Sequence, residues 1–238
     1  MAFNQHRTID DKSFEYVFVQ NQGIPLKTYE KGVLRCNVFL PKDAAPFGDK
    51  VYPVIATYGS YGKDVPYESF YKKSWSQLNP QMKSAHSAWE TPDPRYRTGE
   101  GYIVVRVDER GSGQSPGLLD TMSRGTSEAF YNVVEWRPKG LAAVIPIRRA
   151  SSKTNCDYCE EFGWENGVQP NQYGMPGRAA RKWVANRRNQ MADTTGHKYM
   201  DEEYYRSRGF DLASIEVPLL SVANWGDILL HLRGNAIL

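Results

Sequence analysis

A chain of 238 residues has room for one large domain or two small ones, and 40% apolar, 13% aromatic and 24% charged residues at a mean hydropathy of −0.60 describe a soluble, folded chain with a thin core. A net charge of +3 is too small to mark a nucleic-acid binder, which needs a clustered basic face, and no apolar run approaches the roughly 18 residues of a membrane span. Three cysteines make an odd, sparse set, and Met1–Phe14 holds no apolar signal region, so no disulfide framework is expected and the expected setting is reducing and cytoplasmic.

In chain order, residues 1–31 read as polar and irregular, with a turn at Gly23–Pro25. Leu34, Cys36, Val38 and Leu40 alternate with more polar residues and predict a half-exposed strand over Gly32–Pro41. Ala44–Lys50 is a loop, and Tyr52–Thr57, apolar and ended by Gly59, predicts a buried strand. Ser60–Gly99 is aromatic and polar, with little periodicity outside Tyr67–Trp75. Tyr102–Asp108 is the clearest strand, followed by the glycine-rich turn Arg110–Gly117. A helix follows over Thr126–Trp136, with Thr126 or Ser127 as its cap and Phe130, Val133 and Val134 as its apolar face.

Leu141–Ile147 and Val217–Ala223 read as further buried strands. Between them, residues 148–213 carry no strand pattern and predict an inserted helical cap, with helical pieces at Ala179–Met191 and Asp201–Arg208. The basic stretch Arg178–Arg188 reads as a solvated helix face. Cys156 and Cys159 form a C-x-x-C with no second ligand pair, so neither a metal site nor a cofactor is expected. Alternating strands and helices predict an α/β fold with a mostly parallel sheet covered on both faces, spanning residues 1–238 as a single domain.

Four segments, taken in order, carry a resemblance. Val104-Val105-Arg106-Val107-Asp108-Glu109-Arg110-Gly111-Ser112-Gly113-Gln114-Ser115-Pro116-Gly117 resembles the D-x-R-G-x-G-x-S-x-G signature of the Xaa-Pro dipeptidyl-peptidase-like branch of the α/β-hydrolases, which includes cocaine-esterase-like acyl hydrolases. Pro53–Asp64 is similar to that family's strand and oxyanion-hole loop, Glu135-Trp136 to the end of its next helix, and Val217–Asp227 to the strand that delivers the triad acid. The resemblance runs from about Gly32 to Asn235. It implies an α/β-hydrolase-type sheet and acyl transfer from an ester or proline-flanked peptide bond to water. In that family a serine on a G-x-S-x-G elbow attacks, a histidine takes its proton, an acid orients the histidine, and hydrogen-bond donors hold the oxyanion.

On this chain the resemblance assigns the triad acid to Asp227 and the oxyanion-hole hydroxyl to Tyr61, for which packing under the cap is the competing role. It assigns no nucleophile. Trp136 runs directly into Arg137–Gly140 and the strand that should follow the nucleophile helix, so the elbow strand, the elbow and its helix are missing and the sheet is expected to be incomplete. The pattern G-x-S-x-G occurs once, at Gly113–Gly117, but Ser115 lies seven residues beyond Asp108 in the turn and not at a strand end, and it reads as structural. His231 stands four residues after Asp227, too soon for the triad base, and His6, His86 and His197 read as surface residues. The chain is expected to lack the family's C-terminal β-sandwich.

The expected chain is thus an internally deleted, C-terminally truncated serine-hydrolase relative, inactive by itself. The alternative is a non-catalytic binding or interaction module on the same scaffold. The expected partners are a small-molecule ester or peptide in the complete family, no nucleic acid and no membrane, with self-association through exposed strand edges.

Overall fold

A computed structural model describes residues 6–27, 32–44, 50–120, 123–136, 188, 190–209 and 216–218. Its centre is an open sheet of strands β1 (Thr8–Asp10), β2 (Tyr16–Leu26), β3 (Gly32–Pro41), β4 (Val54–Gly59) and β5 (Ile103–Asp108), in the order β1-β2-β3-β5-β4. The β4–β5 pair is parallel, in register from Val54 with Ile103 to Gly59 with Asp108. The other junctions are antiparallel, so the described sheet is mixed. Leu141–Ile147 and all but Val217 and Pro218 of the last predicted strand lie outside the described residues.

The N-terminal segment corrects the sequence reading. It is not irregular: β1 and the 11-residue β2 occupy it. A bulge hides β2 from a period-two search. Val19 pairs with Val38 and Gln22 with Cys36, so one extra residue is inserted, and buried Asn21 takes a φ of 55°. The insertion reverses parity, so Val17 and Val19 share one core face with Ile24 and Leu26. Pro25 is tolerated because β1 covers only Phe18–Gln20, leaving the outer edge of β2 at Pro25 with no described strand that needs its missing N–H.

The two faces of the sheet differ in chemistry. One gathers Val17, Ile24, Leu34, Cys36, Val38, Val105 and Val107 under Ala129 and Val133. These last two belong to a helix over Arg124–Glu135. Its cap is Ser123, whose Oγ accepts from Thr126 N at 3.2 Å, and not Thr126 or Ser127, which lie in the first turn. Its buried stripe is Ala129, Asn132 and Val133, whereas Phe130 stays 37% exposed with its ring 5.5 Å from that of Tyr58. The opposite face carries Tyr16, Phe18, Phe39 and Val104 together with Asn37, Arg106 and Asp108, all buried.

Between β4 and β5 the chain forms α1 (Tyr67–Phe70), α2 (Lys72–Gln77), a 3-10 turn at Pro80–Met82 and α3 (Pro94–Gly99). Asp93 caps α3 by accepting from Tyr96 N at 3.0 Å. The Arg124–Glu135 helix is α4, and α5 (Gln190–Gly196) and α6 (Glu203–Arg206) follow. The 188–209 segment is fastened to the turn after β5: Arg188 N donates to Leu119 O at 2.8 Å, and Arg208 reaches Asp120 at 3.3 Å. Among the described residues no helix is long and apolar enough to cross a membrane.

Candidate active site at the ends of β4 and β5

Because β4 and β5 run parallel, their C-terminal ends meet at one edge, where Glu109 N donates to Gly59 O at 2.8 Å. Loops leaving the C-terminal ends of parallel strands are the usual place for a ligand site in open α/β sheets. Here they are Ser60–Asp64 after β4 and Glu109–Gly117 after β5.

Asp108 organises both loops. Fully buried, it accepts Lys63 N on Oδ1 at 2.5 Å and Gln114 N on Oδ2 at 2.8 Å. The Lys63 ammonium stands 3.8 Å from Asp108 Oδ2 and contacts Asp64 directly, while Asn37 Nδ2 donates to Asp64 Oδ1 at 2.8 Å. Burial pushes the Asp108 carboxyl up, against the pull of the Lys63 charge. Two residues earlier on the same strand, the Arg106 guanidinium lies on the same face. It is fully buried, held down to about 10 by that burial, and stacked 5.4 Å from the Phe39 ring centre.

The turn after β5 is built of main-chain bonds that only glycine permits at two points. Gly113 has a φ of 52°, and a Cβ there would lie 2.1 Å from Asp108 Oδ2. Gly111 has a φ of 84°, and its Cβ would lie 2.2 Å from Leu119 N. Ser115 is buried in this turn. Its Oγ donates to Asp108 O at 2.8 Å and accepts from Arg35 N at 2.8 Å. Its hydroxyl therefore clamps the turn to β3. Nearby, Arg110 N donates to the Tyr58 hydroxyl at 3.2 Å, and burial followed by the Glu109 charge pushes that phenol up.

Tyr61 is half-buried in the loop after β4, its ring edge-on to Phe70 at 5.3 Å. Its main chain belongs to the loop in which Asp108 holds Lys63 N, and its ring packs against α1. Asp227 and His231 lie outside the described residues, as do Cys156 and Cys159. Among the described residues no group of His, Cys, Asp and Glu side chains could hold a metal ion.

The sequence reading missed the polar network itself. The available signal was the parity of the best strand, where Arg106 and Asp108 interrupt one face of an otherwise apolar run. His86 also departs from the surface role expected of it. It packs among Phe14, Phe18, Phe39 and Tyr16 at ring-centre distances of 4.6, 4.2, 5.5 and 5.8 Å. The Tyr16 hydroxyl and His86 Nδ1 share a hydrogen bond across 2.6 Å, and burial pushes the Tyr16 phenol up to about 12. His197 is partly exposed, paired with Glu202 at 2.7 Å and stacked on Tyr204.

The profile of the X-Pro dipeptidyl-peptidase (S15) family matches residues 32–167. A crystal structure of a CocE/NonD family hydrolase from Staphylococcus aureus superposes with a TM-score of 0.67 at 20% identity, covering 98% of this chain and 46% of that one. A second crystal structure of a CocE/NonD family hydrolase from the same organism gives 0.59 at 18% identity, with 90% and 43% covered. The chain therefore has the fold of these α/β hydrolases and spans just under half of their length. No curated protein matches it.

Proposed function

Because the chain belongs to the X-Pro dipeptidyl-peptidase (S15) family of hydrolases, we propose that it carries the oxyanion-binding side of an acyl-hydrolase site and does not complete turnover by itself. The substrate class is an ester or a proline-flanked peptide, with Tyr61 as the side-chain donor to the oxyanion and Asp227 as a vestigial triad acid. One observation carries the reading. The serine of the chain's single G-x-S-x-G gives its proton to Asp108 O and takes the N–H of Arg35 on its oxygen, whereas a nucleophile must offer its oxygen to substrate and its proton to a base.

Two measurements on the purified full chain test this. Hydrolysis of short p-nitrophenyl esters should stay at background, since without an activated nucleophile and its base no acyl-enzyme forms. Phenylphosphonate, whose anionic oxygens stand in for the tetrahedral oxyanion, should bind saturably to the wild type and not to Tyr61→Phe. Fluorophosphonate labelling of Ser115, lost in Ser115→Ala, would overturn the reading in favour of an active enzyme. Equal phosphonate binding by Tyr61→Phe would remove Tyr61 from the site.

A further inference from the structure

Tyr61 sits in the middle of a short arc of chain, and both ends of that arc are fastened to the end of β5. At the near end, Gly59 O accepts from Glu109 N at 2.8 Å. At the far end, Lys63 is gripped by both of its main-chain groups. Its N–H goes to Asp108 Oδ1 at 2.5 Å, and its C=O accepts from Arg106 Nη1 at 3.4 Å. Arg106 and Asp108 are two residues apart on one strand, so they project from the same face and take hold of the same peptide unit pair. Gly62, with a φ of 88°, and the bond from Val65 N to Gly62 O at 3.2 Å tighten the arc further.

Arg106 does more than close this arc. The same guanidinium donates to His86 O at 2.8 Å and to Pro92 O at 3.4 Å, so three separate stretches of the segment between β4 and β5 hang on one side chain. A planar, forked donor can serve several carbonyls at fixed angles, and a lysine ammonium at the end of a flexible stem cannot hold that geometry. The bland role for a buried arginine is general stability. That role does not require it to converge on the residue two positions past Tyr61, nor Asp108 to take the N–H of that same residue.

We infer that Arg106, with Asp108, is the positioning residue that fixes Tyr61 at the edge of the sheet, acting through the main chain of Lys63. The inference rests on the reading of Tyr61 as the oxyanion donor for its functional meaning, but its test needs neither substrate nor turnover. A single 3-fluorotyrosine at position 61 of the full chain reports the ring's surroundings. The unaltered chain should give one sharp fluorine resonance. Arg106→Lys, which keeps the charge, should lose it to broadening or to several lines. Asp108→Asn, which keeps the shape but can accept only one of the two N–H groups, should do the same.

Val133→Ala in α4 removes buried volume on the opposite face of the sheet and serves as the control for a merely structural effect. It should leave the fluorine line unchanged. A wild-type resonance in Arg106→Lys, or an equal change in Val133→Ala, would overturn the inference. Should neither polar variant fold, amide exchange in the unaltered chain decides it. Lys63 N–H should be protected as strongly as the amides of β5, and exchange at open-loop rates would overturn the inference. Phenylphosphonate added to the fluorinated chain separates the two ideas. A sharp line that phosphonate never moves leaves the positioning standing and the oxyanion role refuted.

Discussion

Replacing Gly113 by alanine perturbs the turn at its most confined point. The residue has a φ of 52°, and its new Cβ would meet Asp108 Oδ2 at 2.1 Å, Cγ at 2.2 Å and Oδ1 at 2.5 Å. A left-handed backbone costs a non-glycine residue roughly 1–2 kcal/mol. The obstacle is no flexible side-chain end but a buried carboxylate that already holds Lys63 N and Gln114 N. Moving it leaves each buried donor short of its acceptor, at about 1–3 kcal/mol apiece. A loss of about 4 kcal/mol or more is expected, a large share of the roughly 5–15 kcal/mol that holds a domain together. Urea unfolding should show a lower midpoint with an unchanged slope. Gly99→Ala is the matched control, because nothing lies within 4 Å of its Cβ position and its φ is not left-handed; it should shift stability by less than about 1 kcal/mol. A Gly113→Ala chain within about 1 kcal/mol of the wild type would refute the argument.

Ser115→Ala should lower stability by about 1–3 kcal/mol while leaving the ester background untouched, since it strips partners from Arg35 N and Asp108 O; a drop in esterase rate without a drop in stability would contradict this. His86 is held down to about 4, first by burial and then by the Arg106 charge, so its contribution is full above about pH 6.5 and is lost as pH falls toward 4. The unfolding midpoints of the wild type and His86→Gln should therefore converge between about pH 7 and about pH 4.5. A constant gap would show the reverse; Asp108, pushed up by burial, shifts both chains alike in the opposite sense. Val51, just before β4, and Val54, its first residue, are 75% and 40% exposed, and β4 is an edge strand of the described sheet. Sedimentation should show association that rises with concentration and weakens in Val54→Lys, and a monomer at every concentration would dismiss it.

Local chemistry determined much of this protein. Unbroken alternation over Gly32–Pro41 and an apolar run ending at Asp108 specify β3 and β5 almost to the residue, because strand pairing and side-chain parity act over neighbouring positions. The order of four short motifs was enough to reach the family, and one of them, the run after Asp108, encodes a turn that needs glycine at positions 111 and 113. Tertiary structure decided what parity and motifs could not express. The bulge at Asn21 reverses the face of β2 halfway along, so its apolar residues look unpatterned until β3 is laid beside them. Ser123 displaces Thr126 as the cap because Thr126 Oγ1 is drawn to Glu109 and Asp120, each 2.9 Å away and neither a near neighbour on the helix. His86 looks polar in its own stretch, yet its surroundings come from β2, β3 and the preceding Phe14. The grip of Arg106 and Asp108 on Lys63 joins residues more than forty positions apart. Sequence displays the charges inside the strand, but only the packed fold brings them to the one peptide they hold, because a buried charge is tolerated where distant partners converge on it.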